Sequence, residues 1–546
     1  MRRKATRRML RPALAAVLVA AIAQWPVPAL ADDVLLGARL ARQDAPGGSP
    51  QPQPPPAPAA GDPTLADVAG PPKAITLPDV LQVAIRQSPA LALARIDIDV
   101  AQARIEQSLG LDDWTVGAAL QAAFSAGPGL PDSFGDTRSH TFSLSGDLTR
   151  LLPTGGTINL HAESSLDNRS RLTRTETPPF IINERSTAYT DVITGTFTQP
   201  LLRGYGRDIA RATQVQARLS RDAAVLDQTR AVITQLQTVI QAYWDLTLAL
   251  RGLEIRRSSL ELARERLRLT QAGIGGGKVA PSEALAVEQV IATRQEDVLG
   301  AELAVLQQSI VVRRAAGMEI APGDLALSAD TQLAVPARQW QLEALVARAS
   351  EFSPELAALA VREKGATVDI QVTENGLLPT LDLSLTLGPA GVGDDPGTAL
   401  KNLVTGDSFT AAASLTYQQA LGRHAAAGAT RAARGARELI RVNAVDVKLQ
   451  VAQSMASAVA LVRSAEQRVQ LAARAIALAE QNIAVEQSRF NLGKSTNFDV
   501  LLRQDELRQA QLRQANAVVD WHKAETAILA LTGELLAAYG VEVAPR

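Results

Sequence analysis

Glu283 and Asp499 each stand six residues past the glycine of a Gly-Lys pair, in Gly277-Lys278-Val279-Ala280-Pro281-Ser282-Glu283 and Gly493-Lys494-Ser495-Thr496-Asn497-Phe498-Asp499. Both carboxylates fall in the first turn of a helix, where negative charge favours the N-terminal dipole. Carboxylate pairs elsewhere suit solvated helix faces better than acid–base catalysis. Gly273-Ile274-Gly275-Gly276-Gly277-Lys278-Val279 has the glycines and lysine of a phosphate loop, but not their spacing. It also lacks the Ser/Thr after the lysine and joins two helices, not a strand and a helix, so it reads as a flexible hairpin tip. The four histidines (His140, His161, His424, His522) are scattered, and there is no cysteine and no Gly-x-Ser-x-Gly. Zinc and nucleophilic chemistry therefore have no constellation to work with. The sequence assigns no catalytic, cofactor-binding or metal-binding residue, and the expectation is that this is not an enzyme.

The elements that carry the two tips are built twice. The tips lie 216 residues apart, and each glycine is followed 40 residues later by a second landmark, Ala316-Gly317 or Thr532-Gly533. Upstream, Ser88-Pro89-Ala90-Leu91 recurs as Ser353-Pro354-Glu355-Leu356, each a helix start with serine as N-cap and proline at the first helical position. These helices should run to about Gly110 and Gly376. Arg207 to Ala272 and Arg423 to Phe490 contain no proline, and predict helices about 100 Å long at ~1.5 Å per residue. Each turns at its Gly-Lys tip and returns as helix 281–315 or 498–531. Helices this long must bury apolar stripes as coiled coils. Duplication on this scale sets the architecture before any local detail does.

Between the entry helices and the long helices the period changes to two. Thr141 to Thr149 alternates Phe142, Leu144 and Leu148 with Ser143, Ser145 and Asp147; Thr380 to Leu387 alternates Leu381, Leu383, Leu385 and Leu387 with Asp382, Ser384 and Thr386. Phe409 to Tyr417 repeats the pattern, and 116–124, 158–162 and 193–197 follow it more weakly. Such alternation predicts a sheet with one apolar face, in strands of about 9–11 residues, the length of a tilted membrane-spanning strand.

Apolar residues make up 46% of the 546-residue chain but aromatics only 3%, as in long packed helices. The formal charge of −1 and the absence of a basic run with interleaved aromatics exclude a nucleic-acid partner. Arg2, Arg3, Lys4, Arg7, Arg8 and Arg11, the apolar run Ala13 to Ala23 and Ala29-Leu30-Ala31 have the order of an export signal. Thr6-Arg7-Arg8 also leaves a twin-arginine route open. Its removal would take the charge from −1 to −7. Residues 45–73 are proline-rich and read as an extended leader. No run of 18 apolar residues follows the signal, so entry into a membrane is expected only through a barrel.

The whole order is helix, strands, Thr198-Gln199-Pro200-Leu201-Leu202-Arg203-Gly204, long helix, Gly-tipped hairpin and a helix ending in Ala-Gly or Thr-Gly, then the same again. This resembles the TolC family of outer-membrane efflux channels over about residues 74–540. Gln199, Pro200, Leu201, Leu202, Arg203 and Gly204 look like the family's strand-to-helix junction, and Tyr417-Gln418-Gln419-Ala420-Leu421-Gly422 is a weaker copy. The resemblance implies a mostly α chain with a membrane β-barrel portion. Its duplicated strand–long-helix halves would form a trimeric shared β-barrel and a periplasmic α-helical coiled-coil tunnel. A four-strand share cannot close a barrel, and open edges are not tolerated in lipid, so several chains must share one. The polar set Ser143, Ser145, Asp147, Asp382, Ser384 and Thr386 would face the lumen.

By the same resemblance, Glu283, Asp499 and Phe490 are candidates for the periplasmic aperture, where six carboxylates of a trimer would favour cations. Gly277, Lys278, Gly493, Lys494 and Ser495 are candidates for docking a periplasmic adaptor (membrane fusion) protein. The implied partners are two further copies, that adaptor, an inner-membrane pump or ABC exporter, and outer-membrane lipid. Phe490 and Ser495 replace a tyrosine and an arginine of familiar members and cannot form the same closed-state bonds. Familiar members also have two strands per half, whereas 141–150 and 157–165 make an extra candidate hairpin around Leu152-Pro153-Thr154-Gly155-Gly156. It could lengthen the barrel, extend outside the membrane, or be one strand with an insertion.

The expected division is a signal at 1–31, leader 32–73, first-half entry helices 74–112, strands 113–206 and helical hairpin 207–320. A connector and second entry helices at 321–378, strands 379–422, the second hairpin 423–540 and a tail 541–546 complete it. The function expected is passive conduction in a tripartite efflux or type I secretion system of a Gram-negative outer membrane. The alternative is a periplasmic or surface coiled-coil scaffold or adhesin without a pore.

Overall fold

The structure is a computed structural model that describes residues 69–540 apart from 128–135, 175–180, 278, 332–333, 337 and 407. The expected signal, most of the leader, the tail and Lys278 lie outside the described residues.

Entry helices Leu77–Gln87 (α1) and Pro89–Leu109 (α2) lead into four strands, Thr115–Ala126 (β1), Asp136–Leu151 (β2), Thr157–Arg174 (β3) and Ile181–Pro200 (β4). The long helix Ala212–Gly275 (α3) and the returning Pro281–Ala316 (α4) close the first half. The second half repeats the plan with Leu342–Phe352 (α5) and Pro354–Asn375 (α6), strand Thr380–Gly393 (β5), helix Pro396–Thr405 (α7) and strand Ser408–Gln418 (β6). It ends in His424–Asn491 (α8) and Asn497–Thr532 (α9). With 64 and 68 residues, α3 and α8 are each about 100 Å long.

These six strands form one antiparallel sheet in the order β1-β2-β3-β4-β5-β6, and the short segments Lys73–Ala74 and Leu327–Ser328 pair in parallel elsewhere. In the chain it is an open sheet and not a closed barrel. The extra hairpin is thereby settled as two full strands, β2 and β3, inside the sheet. Strand length also departs from expectation: β2, β3 and β4 have 16, 18 and 20 residues, against 12 in β1 and 11 in β6. The surplus is mostly polar and charged, with Arg138, Arg169, Arg171, Glu184 and Arg185 in paired rows at the end far from the helices. A strand end of that composition belongs in water.

The register separates two chemistries. Val116, Leu148 and Leu160 align across β1, β2 and β3, and Phe197, Leu385 and Ala413 across β4, β5 and β6. Val116 and Leu120 of this face are 82% and 80% exposed. The opposite face carries Ser143, Ser145, Asp147, Asp382, Ser384 and Thr386 together, as the alternation predicted. It is tied across strands by hydroxyl, amide and carboxylate groups: Asn159 Nδ2 donates to Thr149 Oγ1 at 2.8 Å, and Thr196 meets Thr386 at 3.2 Å.

Helices pack through two related cores. Val80, Leu81 and Ala84 of α1 meet Leu236, Val239 and Ile240 of α3 with Val312 and Ala316 of α4. Ala349 of α5 meets Met455, Val459 and Val462 of α8 with Trp521 and Ile528 of α9. Alanine at these seams lets backbones approach closely. The 68-residue α8 contains an 18-residue window apolar enough to cross a membrane (mean hydropathy 1.2), a third of it buried. Further along the same helix, exposed Leu471, Leu478 and Val485 recur every seven residues, as in a coiled-coil stripe.

The Ala-Gly and Thr-Gly landmarks prove to be left-handed helix ends, with φ of +73° at Gly317 and +76° at Gly533. Each packs on the corner before its Ser-Pro. A Cβ at Gly317 would stand 2.5 Å from Gln87 O; at Gly533 it would stand 2.3 Å from the Phe352 ring. Ser353 caps its helix as expected, accepting from Leu356 N at 3.3 Å, but Ser88 makes no such bond. The first corner is fixed by the Gly317 approach instead. Gly317→Ala should cost about 2–4 kcal/mol, combining left-handed strain with an immovable backbone contact. Gly533→Ala should cost about 1–2 kcal/mol, because the half-exposed Phe352 ring can turn away. Denaturant titration of both variants checks the order; equal losses would contradict the backbone argument.

Candidate functional site

The hairpin ends are made by glycine in the left-handed region, Gly277 at φ +70° and Gly493 at +68°. Gly277 N donates to Ile274 O at 3.0 Å, and Gly493 N to Phe490 O at 2.9 Å, so each closes its helix in the same way. Nothing lies within 4 Å of a Cβ built at either glycine, and Lys494 is exposed.

The helix starts beyond the tips differ. Thr496 and Asp499 form a capping box at α9: Asp499 N donates to Thr496 Oγ1 at 3.3 Å, and Thr496 N to Asp499 Oδ2 at 3.0 Å. The Ser495 hydroxyl adds a bond to Asp499 at 3.2 Å and donates to Glu486 Oε1 at 2.5 Å. At α4, Ala280 offers no side-chain cap. Glu283 reaches across to the other hairpin instead, accepting from Asn497 N at 3.3 Å. The two pseudo-equivalent acids thus attend the same helix terminus, that of α9, one from within and one from the neighbouring hairpin.

Arg266 of α3 organises this contact. Only 3% exposed, it donates from Nε to Asn497 Oδ1 at 2.7 Å and from Nη1 to Gln487 Oε1 at 3.1 Å. Its guanidinium lies 4.0 Å from the Phe490 ring centroid, a desolvated cation–π contact. Thr270 Oγ1 lies 3.3 Å from the same Asn497 oxygen. Burial pushes the Arg266 guanidinium below its ordinary value, and the Glu283 carboxylate opposes that shift. Sequence reading missed Arg266 and Asn497. The available signal was Arg266 and Thr270 at positions where α3 otherwise buries Leu260 and Ala263, a polar pair in an apolar seam.

At the far end of the helices, Gln199 and Pro200 end β4, and Leu201 N donates to Leu381 O at 2.7 Å. Arg203 N donates to Pro379 O at 3.3 Å, and Gly204 N to Asn375 Oδ1 at 2.8 Å. Leu201 and Leu202 are exposed. This junction also holds the turn of the extra hairpin. Gln199 Nε2 donates to Thr154 O at 3.2 Å, Gly206 N donates to Thr154 O at 3.1 Å, and a Cβ on Gly155 would stand 2.2 Å from Gly204 O.

Residues 345–534 match the family of outer membrane efflux proteins. This span belongs to that family. The efflux-protein span covers α6, β5, β6, α8 and α9, while the first half with β2 and β3 lies outside it. Solved outer-membrane channels share the fold. The outer membrane protein VceC of Vibrio cholerae is 15% identical with a TM-score of 0.59, over 84% of this chain and 96% of its own. The Campylobacter jejuni CmeC outer membrane channel is 13% identical at 0.60, over 91% and 96%. The open-state Neisseria gonorrhoeae MtrE outer membrane channel is 14% identical at 0.58, over 87% and 94%. At such identities the likeness concerns the fold. A comparison with curated proteins by sequence gave no match.

Two predictions follow from the tip geometry. Arg266→Ala strands Asn497 and Gln487 in a buried site and should cost about 2–4 kcal/mol locally. Hydrogen exchange should then accelerate at 486–500 and stay unchanged near Trp521. Hydrogen bonds from the Thr496 backbone and hydroxyl, then from Ser495, hold the Asp499 carboxyl below its ordinary 3.8. A depressed carboxylate stabilises fully above its unfolded value, and that stability is lost as pH falls through the folded one. The start of α9 should therefore fray only below pH 3.8, and Asp499→Asn should remove that pH dependence from tip exchange.

Proposed function

We propose that this chain is the outer-membrane channel component of a tripartite efflux or type I secretion system, conducting cargo passively through a trimer. One observation carries the reading: a sheet apolar on one face and polar on the other runs directly into helices about 100 Å long. Lipid suits the first face and a hydrated lumen the second. The helices then have the length of a periplasmic tunnel, and the exposed heptad stripe of α8 suits burial against a neighbouring copy.

The hairpin tips at Gly277 and at Gly493, Lys494 and Ser495 are the surface offered to a periplasmic adaptor, which would link the channel to an inner-membrane pump or ABC exporter. Glu283, Asp499 and Phe490 sit beside those tips and would border the periplasmic aperture. Arg266 then takes the place of a direct tip-to-tip lock, clamping Phe490 and Asn497 of the second hairpin to the first. A pore-free scaffold or adhesin would have to leave Val116, Leu120, Phe124 and Phe409 in water, an apolar face without a purpose.

The assembly is tested by membrane fractionation and mass measurement in detergent. A trimer with heat-modifiable mobility is expected; a water-soluble monomer would sink the reading. For the aperture, Glu283→Ala with Asp499→Ala should reduce the cation selectivity of the reconstituted channel and weaken block by multivalent cations. Each single change should do less, since three carboxylates remain. Intact trimers with unchanged selectivity would mean that these acids serve only the start of α9.

A further inference from the structure

The six-stranded sheet is about as wide as the helical layer beneath it. At the strand end the helices lie side by side in the order α2-α3-α6-α8. Four helices at 8–10 Å spacing cover an arc of about 36 Å. Strands about 4.8 Å apart and tilted about 40° each occupy roughly 6.3 Å of circumference, so six cover about 38 Å.

The two added strands are also anchored where a wall strand must be. The β2–β3 turn does not hang free but sits in the strand-to-helix junction, held by Gln199 and Gly206 at Thr154 and by the close approach of Gly155 to Gly204. From there β2 pairs with β1 over 12 residue pairs, Thr115↔Thr149 to Ala126↔Arg138, and β3 pairs with β4 over 18, Thr157↔Thr198 to Arg174↔Ile181. What remains unpaired is the outer edge of β1 and the outer edge of β6. Both edges carry exposed apolar residues, Val116 and Leu120 on one, Leu415 and Tyr417 on the other. In lipid each needs a strand partner.

We infer that β1 of one copy pairs with β6 of the next, so that three copies close an 18-stranded barrel in which β2 and β3 are permanent wall strands. This rests on the trimeric channel reading above. The backbone cylinder would be about 36 Å across, against about 24 Å for 12 strands. The added wall lines the lumen with Ser143, Ser145, Asp147, His161 and Glu163 from each copy, the polar face of β2 and β3.

Strand counting by cryo-electron microscopy of the detergent-extracted trimer tests this directly, and cysteine pairing tests it independently. The chain has no native cysteine to interfere. Ala119→Cys on β1 combined in turn with Ala412→Cys, Ser414→Cys or Thr416→Cys on β6 should give oxidised dimers and trimers in at least one pairing. If β2 and β3 were instead outside the wall, β1 would adjoin β4, and Ala119→Cys with Val192→Cys would cross-link within a monomer. That result, 12 strands in a trimer, or monomers alone in all three β1–β6 pairings would overturn the inference and leave the channel reading standing. Absence of a membrane trimer would overturn both.

Discussion

Hydrocarbon offers no hydrogen bonds, so every backbone N–H and C=O placed there needs a partner inside the protein. The six-stranded sheet satisfies this at its four inner strands and leaves it unmet at two edges. Other features answer the same demand. On the proposed reading, the apolar rows from Val116 to Tyr417 are the face such a wall would show to lipid. The Thr196–Thr386 and Asn159–Thr149 contacts tie the strands together on the hydrated side. The charged ends of β2, β3 and β4 begin where the apolar rows stop, so that their surplus length stays solvated.

Beneath the sheet, a duplicated plan has been used unequally. Gly317 and Gly533 end equivalent helices in the same conformation, yet one rests on backbone and the other on a ring. Glu283 and Asp499 occupy equivalent places but both serve α9, because Thr496 can cap a helix and Ala280 cannot. The tip is therefore a joint between unlike hairpins. Its rigidity depends on a buried cation whose partners lie more than 200 residues away in sequence.

Periodicity made most of the architecture legible. The Ser-Pro starts, the proline-free runs and the Gly-Lys tips mark α2, α6, α3, α8 and both turns, because helix ends depend on residues within a few positions. The alternation at 141–149 and 380–387 located the faces of β2 and β5, since a strand's period does not depend on its partners. Strand number and length were less legible. Whether 141–165 entered the sheet depended on Gln199 and Gly206 meeting Thr154, contacts between residues some 45 and 52 positions apart. At the candidate site, Glu283 and Asp499 were found as helix-start acids. Arg266 was hidden because a single cation on a long, arginine-rich helix reads as solvated until its seam is known.

The order of the strands along the chain also has a kinetic meaning. β1 to β4 are consecutive hairpins within residues 115–200, whose pairings can form as soon as that segment exists. The β4–β5 seam joins residues as distant as Thr196 and Thr386, with both arms of the first helical hairpin between them. Loop closure over such a length is slow to form and gains nothing until the ends meet. A four-stranded meander should therefore mature first, and the helical hairpin must fold back before the second half can add its two strands. The duplicated chain is assembled from its first half outward, with the β4–β5 seam as its last internal closure.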